Sequence, residues 1–306
     1  MPDLHNTHHE DSRLPASDFR LTTYGPPVQI LNPFTYVRPV RTATRLSHLL
    51  GRWVIDKLAA VGELGRLLAS VIWMLRYDRQ RRSVLVMQLY HIGYLSLPVV
   101  LIADAAIGLV LGVQSFSTLS RFNADVMSGP MVNFSMITQL SPVITGLMLA
   151  GRVGSNMAAE IGTMKVTEQL DALRVMGTDP VSYLVAPRFL ACVLLAPILT
   201  ALGSLAGMAA SHILVVEIWQ VDGAAYWFQS SKFLTPWDII TGSLKPIVFG
   251  GLIALVACRR GLLTKGGATG VGEACTKGVV QASVLVLVSN FLMSLLFQKL
   301  YDMMHG

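Results

Sequence analysis

Five long apolar stretches constrain this chain more than any other feature, because each is long enough to cross a lipid bilayer. A membrane-spanning helix needs about 20 predominantly apolar residues. The bilayer core offers the backbone no water, so such stretches form helices with internal hydrogen bonds. The sequence therefore predicts an all-α integral membrane protein with five transmembrane helices, of which the third could tilt or break at Pro197. The stretches lie near residues 92–117, 131–157, 185–216, 239–258 and 278–299.

The charge content agrees with a membrane location. Only 14% of the residues are charged, against about 25% in soluble domains. The net charge of +6 could by itself suggest a nucleic-acid ligand, but the basic residues flank the apolar stretches. Basic residues in that position set the orientation of membrane helices. We therefore expect a membrane partner and no nucleic-acid partner.

The cysteines give no sign of a disulfide framework or a metal site. Cys192, Cys258 and Cys275 are odd in number and form no CxxC pair. Zinc sites and disulfide frameworks usually show paired spacings. We expect neither in this chain.

The connections between the apolar stretches differ in their content of basic residues. Those at 76–91, 158–184 and 259–277 are rich in arginine and lysine, whereas the other two are poorer and contain Arg121 and Lys232. The positive-inside rule assigns the basic set to the cytoplasm. Five spans then predict an N-terminus in the cytoplasm and a C-terminus on the outer side.

Two segments precede the first apolar stretch. Residues 1–50 are polar and contain several prolines, which predicts a disordered cytoplasmic tail. Residues 52–75 place apolar residues on one side of a helix and charged residues on the other. This pattern is typical of a helix that lies in the membrane interface. The alternative is an amphipathic helix packed on the protein.

A second amphipathic segment, Thr167–Met176, is too short to span the bilayer. Its acidic residue Glu168 is expected in the first helical turn, where a carboxylate favours the helix dipole. Gly177 and Asp179-Pro180 are stop signals. A short helix between two spans could transmit force from a soluble partner, or it could be an ordinary interfacial loop. The apolar stripe is Val166, Leu170 and Leu173, and the charged stripe is Glu168, Asp171 and Arg174.

The residues from Gln139 to Pro180 decide between these alternatives by resemblance. This run, QLSPVITGLMLAGRVGSNMAAEIGTMKVTEQLDALRVMGTDP, resembles the signature of the MlaE/YrbE family of permeases. Leu244–Gly250 and the glycine-rich run Gly266–Gly272 are also similar to that family. The resemblance covers roughly residues 50–300, so residues 51–306 are expected to form one permease domain.

The resemblance implies an ABC transporter that moves phospholipid or a related lipid, with an MCE-domain protein as a further partner. It implies a homodimer of permeases in a bacterial inner membrane, with the C-terminus in the periplasm. Lipid would occupy a cavity between the permeases, lined by the first, second and fifth spans and the interfacial helix. Thr167–Met176 would be the coupling helix seated in the ATPase subunit. Its docking residues would be Thr167, Glu168, Gln169, Asp171 and Arg174.

Three polar residues in the spans are candidates for the lipid cavity: Asp104, Gln139 and Arg152. The family usually has a glutamate at the position of Gln139 and a small residue at that of Asp104. A carboxylate inside a membrane is expensive and normally faces a cavity or a partner. Asp104 therefore borders the lipid cavity or is a hydrogen-bonded packing residue. Arg152 could bind a lipid phosphate, but for Arg152 and Lys245 we favour anchoring at the interface.

The sequence has no P-loop, since the glycine-rich run at 266–272 lacks the Lys-Ser/Thr ending. We expect no cofactor and no catalysis in this chain, with ATP bound and hydrolysed by a partner. Two alternatives remain. One is an ion-gradient-driven secondary transporter, which Asp104 supports, and the other is a membrane scaffold without transport.

Overall fold

The computed structural model describes residue 59, residues 62–72 and residues 82–305. The predicted disordered tail at 1–50 lies outside the described residues, as do parts of the predicted 52–75 helix. Within the described part, all regular structure is helical. Among the described residues, five helices are long and apolar enough to cross a membrane, and we call them the first to fifth spans. They are Val84–Phe122, Asp125–Val166, Tyr183–Ile218, Pro236–Leu262 and Gly267–Met304. Each predicted stretch lies inside one of them, so the all-α, five-span prediction is confirmed.

Wide π-helical turns interrupt three of the spans. One occurs at Tyr90–Tyr94 in the first span, and two occur in the second span at Met136–Leu140 and Ala150–Gly154. The third span has one at each end, at Val181–Val185 and Ile213–Ile218. Such turns are rare and are frequent at functional sites. Between its π turns the third span is a continuous α-helix, Ala186–His212, so it does not break at Pro197.

The first span ends in the 3₁₀ turn Ser120–Phe122, and the second span begins with the 3₁₀ turn Asp125–Met127. Two short helices lie between later spans. Gln169–Val175, the loop helix, follows the second span, and Gly223–Phe233, the connector helix, follows the third.

Local sequence signals fix where the last two spans begin. Thr235 and Asp238 form a reciprocal capping box at the start of the fourth span, which satisfies backbone donors that would otherwise be free. The glycine-rich run at 266–272 begins at the turn before the fifth span and continues into the first turns of that helix. Gly266 and Gly267 have φ angles of 87° and 71°, a region that glycine enters at little cost.

The fourth span lies at the centre of the helix packing. It contacts the second, third and fifth spans, and the third span also packs along the first. Phe249 and Ile253 of the fourth span are fully buried, together with Ile161 of the second. The fifth span instead exposes many apolar side chains, among them Phe291 and Leu292. This leaves one long apolar face for lipid or a further protein.

Glycines set the close contact between the first and third spans. A Cβ atom on Gly108 would overlap the backbone carbonyl of Gly207, and one on Gly112 would lie 2.9 Å from the Ser211 hydroxyl. Each span carries a GxxxG pair, Gly108/Gly112 and Gly203/Gly207. Small residues allow helix backbones to approach where lipid provides no hydrophobic drive for association.

The N-terminal helix at 62–72 packs on the protein. Val71 is fully buried, and Leu64 packs against the same core. Glu63 forms an ion pair with Arg259 at the end of the fourth span, at 2.5 Å. The described part of this helix thus makes the protein contacts of the alternative interpretation, while its position in the membrane interface stays a prediction.

The contact between Gly108 and Gly207 leads to a stability test. Gly108→Ala forces the first and third spans apart, so we expect it to lower the free energy of unfolding by about 1–3 kcal/mol. Gly272→Ala is the matched control, because nothing lies within 4 Å of a Cβ at that helical position. There alanine should be neutral or stabilising by up to about 1 kcal/mol. Thermal unfolding in detergent compares the two variants, and equal stability would contradict the close packing.

Candidate functional site

Lys245 of the fourth span lies inside the protein and is 2% exposed. Its ammonium group donates hydrogen bonds to the Thr138 carbonyl at 2.8 Å, the Gln139 Oε1 at 3.0 Å and the Ser294 hydroxyl at 3.0 Å. The favoured interpretation from sequence, that Lys245 anchors at the interface, is wrong. The side chain does not reach outward, because three inward-facing acceptors hold it. We call this group the Lys245 site.

A π turn of the second span provides two of these acceptors. Thr138 and Gln139 both belong to Met136–Leu140. A π turn disturbs the regular ladder of backbone hydrogen bonds, which explains how a backbone carbonyl in mid-helix can accept from a side chain. The fourth span approaches closely here, since a Cβ on Gly242 would overlap the Ile137 carbonyl. Lys245, one turn further along, is thereby placed against the π turn.

The fifth span completes the site with one amide group and one hydroxyl group. The Gln139 Oε1 also accepts from the Ser294 hydroxyl at 3.2 Å and from the Asn290 Nδ2 at 3.4 Å. Ser294 and Asn290 were not singled out from the sequence. The signal was present, however, because Asn290, Ser294 and Gln298 recur every four residues in an apolar helix, which puts them on one face.

Every group that holds the Lys245 ammonium is electrically neutral. Among the residues that the structure describes, Lys245 forms no ion pair. A buried charge is normally paired with an opposite charge. A cavity of about 260 Å³ lies beside Lys245 and is lined also by Gln139, Tyr301 and the acidic residue Asp238. The Asp238 Oδ2 accepts from the Thr235 N–H and hydroxyl, and Asp238 forms no ion pair with Lys245. The site can therefore accept an anionic group from this cavity.

Asp104 lies elsewhere in the packing. It is fully buried, and its Oδ2 accepts from the Thr145 hydroxyl of the second span at 3.3 Å. Its other oxygen, Oδ1, has no hydrogen-bond partner in the described part of the chain. Gly203 of the third span makes room for the carboxyl group. Asp104 lines neither the cavity beside Lys245 nor the cavity beside Arg152, so a place at the lipid cavity stays a prediction.

Arg152 lies in the other π turn of the second span, Ala150–Gly154. It lines a separate cavity of about 610 Å³, which we call the Arg152 cavity. At 1.5 Å per residue, Arg152 and Gln139 are roughly 20 Å apart along the same helix. The structure thus brings Gln139 into contact with Lys245. Arg152 lies away from this pair along the second span, and Asp104 makes its contacts with other residues.

The loop helix begins at Gln169, whereas the sequence predicted a start at Thr167. The second span continues to Val166, and the Thr167 N–H still bonds to the Thr163 carbonyl at 3.0 Å. Glu168 then adopts a φ of 59° and turns the chain. The prediction that Glu168 lies in the first turn is therefore wrong, because this residue is the bend between two helices.

The loop helix is anchored on one side and exposed on the other. Leu170 is fully buried, whereas Val175 and Met176 are 89% and 70% exposed. Asp171 accepts from Arg174 at 2.7 Å and from Lys165 at 3.3 Å. Exposed ion pairs of this kind contribute only about 0–1 kcal/mol. The charges on this helix can therefore exchange partners at low cost.

Comparison with known proteins gives a consistent result. The family model described as Permease MlaE matches residues 85–296. A probable ABC transporter permease protein of Rickettsia prowazekii is 38% identical over 255 residues, covering 83% of this chain and 98% of the relative. The intermembrane phospholipid transport system permease protein MlaE of Haemophilus influenzae is 34% identical over 246 residues, covering 80% and 94%.

A plant protein is similar as well. The protein TRIGALACTOSYLDIACYLGLYCEROL 1, chloroplastic, of Arabidopsis thaliana is 38% identical over 210 residues, covering 69% of this chain and 60% of the relative. The family match spans the first to fifth spans, including the Lys245 site, the Arg152 cavity and the loop helix. The chain is a multi-pass membrane protein that belongs to the MlaE family of ABC transporter permeases.

Proposed function

We propose that this chain is the membrane subunit of an ATP-driven transporter that moves phospholipid or a related anionic lipid. The observation that carries the proposal is the Lys245 site, in which a buried ammonium group is held by neutral acceptors beside a cavity. A lipid phosphate would balance that charge, and its acyl chains would remain among apolar side chains. The name of the Haemophilus influenzae relative, which specifies phospholipid transport, supports the same cargo.

The proposed energy source is ATP hydrolysis on a separate subunit. The loop helix is the coupling element, with Thr167, Glu168, Gln169, Asp171 and Arg174 at the contact. Two features support this role. Leu170 ties the helix to the membrane domain, so that a push on the helix moves the second span. Exposed apolar residues such as Val175 and Met176 are typical of a surface that another protein covers.

The proposed assembly is a homodimer in a bacterial inner membrane, with an MCE-domain protein as a further partner. The N-terminus would be cytoplasmic and the C-terminus periplasmic. The apolar face of the fifth span is compatible with a subunit contact. The basic loop that contains Lys165 and Arg174 would then face the ATPase, in agreement with the positive-inside rule.

The coupling role predicts that charge reversal on the loop helix separates the subunits. Glu168→Lys with Asp171→Lys should reduce co-purification of the ATPase subunit at least about tenfold. The two new lysines would repel the basic groups of the ATPase that the acidic side chains are proposed to attract. The control is Glu217→Lys with Asp302→Lys, which makes the same charge change at two exposed residues outside this loop. Retention of the ATPase by the loop variant would contradict the proposed contact. A second variant, Val175→Asp, tests the same contact while leaving the ion pairs of Asp171 intact.

The cargo role predicts that the Lys245 charge determines lipid retention. Lys245→Gln keeps a hydrogen-bonding side chain but removes the charge, so we expect the purified protein to retain at least about tenfold less anionic phospholipid. Lys232→Gln is the matched control, because Lys232 lies over the Phe228 ring on the connector helix, away from both cavities. Quantitative lipid mass spectrometry measures the difference. Equal retention by both variants would contradict the proposed role of Lys245.

A further inference from the structure

An ion pair joins the two spans that flank the loop helix. Glu160 lies in the last α-helical part of the second span, which ends at Val166, and Arg188 lies in the first turn of the α-helix Ala186–His212 in the third span. The Arg188 Nη2 donates to the Glu160 Oε2 at 2.8 Å. The partners are 28 residues apart in sequence, and the loop helix lies in the chain between them.

Both partners of this pair are held on their own helices. Arg188 is buried, and its Nη1 donates to the Leu184 carbonyl at 3.2 Å. Leu184 belongs to the π turn Val181–Val185, with which the third span begins. On the other side, the Glu160 Oε1 accepts from Asn156 at 3.0 Å. Because the guanidinium is planar and offers its donors in a fixed fork, it can hold a carbonyl and a carboxylate at once.

The loop helix is attached more directly to the second span than to the third. Leu170 is buried in the same core as the second span, and Asp171 accepts from Lys165 at the end of that span. Towards the third span the chain first turns at Gly177, whose φ is 74°. It then enters the π turn Val181–Val185. Movement of the loop helix therefore reaches the second span first.

The two flanking spans have little direct backbone contact near the loop helix. The part of the second span that contains Glu160, Ser155–Val166, packs mainly on the fourth and fifth spans. The third span packs on the first and the fourth. The ion pair is thus a direct link between two helix ends whose main packing partners differ.

We propose that the Glu160–Arg188 ion pair makes the third span move together with the second when the loop helix moves. The pair closes a ring that runs from the second span through the loop helix to the third span and back. Glu160 and Arg188 are positioning residues, since they act through the spans and touch no nucleotide. This inference rests on the proposed function, in which an ATPase subunit displaces the loop helix.

The first test compares ATP hydrolysis with lipid movement in the complex of the full-length protein with its ATPase and MCE-domain partners. The complex is placed in vesicles that contain phosphatidylglycerol. Glu160→Gln keeps the size of the side chain and removes its charge. We expect about fivefold less phosphatidylglycerol moved per ATP hydrolysed, with ATP hydrolysis within about twofold of that of the unmodified complex. Glu273→Gln is the matched control, because Glu273 pairs with Lys277 within one helix.

Variants of Arg188 show whether the pair itself is responsible. Glu160 also lines the Arg152 cavity, whereas Arg188 does not. Arg188→Gln should therefore reproduce the effect of Glu160→Gln without changing the wall of that cavity. Arg188→Lys should keep part of the coupling, because the positive charge remains. Exchange of the two charges, Glu160→Arg with Arg188→Glu, should restore more coupling than Arg188→Glu alone.

A distance measurement tests the pair without reference to any lipid. Spin labels are placed at Val166→Cys and Leu194→Cys, which are exposed positions on the second and third spans. Cys275→Ser removes the native cysteine that is partly exposed. With the pair intact, we expect the same distance between the labels before and after a nucleotide is trapped on the ATPase with vanadate. With Glu160→Gln the distance should change on trapping.

Three results would overturn the inference. One is an unchanged amount of lipid moved per ATP in the Glu160→Gln complex, and another is a label distance that responds to trapping equally with and without the pair. The third is an equal loss of hydrolysis and lipid movement, which is the result of a purely structural role. If the unmodified complex hydrolyses ATP but moves no phosphatidylglycerol, the proposed cargo fails, and the label distance decides the inference. Failure of the complex to form would contradict the proposed function and this inference with it.

Discussion

The buried charge of Lys245 sets a condition that the surrounding spans have to meet. An ammonium group in a low-dielectric interior is costly unless hydrogen bonds and an opposite charge compensate it. The second and fifth spans provide the hydrogen bonds through Thr138, Gln139 and Ser294. They provide no opposite charge among the described residues, since Gln139 and Asn290 are both amides. In the proposed function an anionic lipid would supply the missing charge, at a position where the family usually has a glutamate.

The helix irregularities have a common consequence for the polar sites. Gln139 and Arg152 lie in π turns of the second span, and His91, which also lines the Arg152 cavity, lies in that of the first. Regular α-helical packing surrounds these turns. Close approach at Gly108 and Gly207 holds the first and third spans together, and the fourth span fills the centre. A few irregular turns within this close packing thus place polar groups at cavities. Binding sites are commonly built on such well-packed elements.

The sequence predicted the parts of this structure that depend on length and local pattern. Five apolar stretches predicted five spans, and the residues from Gln139 to Pro180 identified the family. The position and contacts of single polar residues could not be predicted, because they depend on neighbours that are distant in sequence. Lys245 was expected at the interface, but the π turn at Thr138 and Ser294 on another helix hold it inside. Glu168 was expected in a helix, but the longer second span makes it the bend. The π turn at Ala150–Gly154 was not predicted from the sequence, so the Arg152 cavity became visible only in the structure.

The most direct test of this account is the affinity of the Gln139→Glu protein for anionic phospholipid. The substitution keeps the size of the side chain and gives Lys245 a carboxylate within hydrogen-bonding distance. Equilibrium binding of phosphatidylglycerol to the purified protein, with Gln139→Met as the uncharged comparison, measures the effect. The account predicts that the glutamate competes with the lipid and weakens binding by about tenfold or more. Unchanged affinity in the Gln139→Glu protein would show that the Lys245 charge does not hold the lipid, and would contradict the central claim.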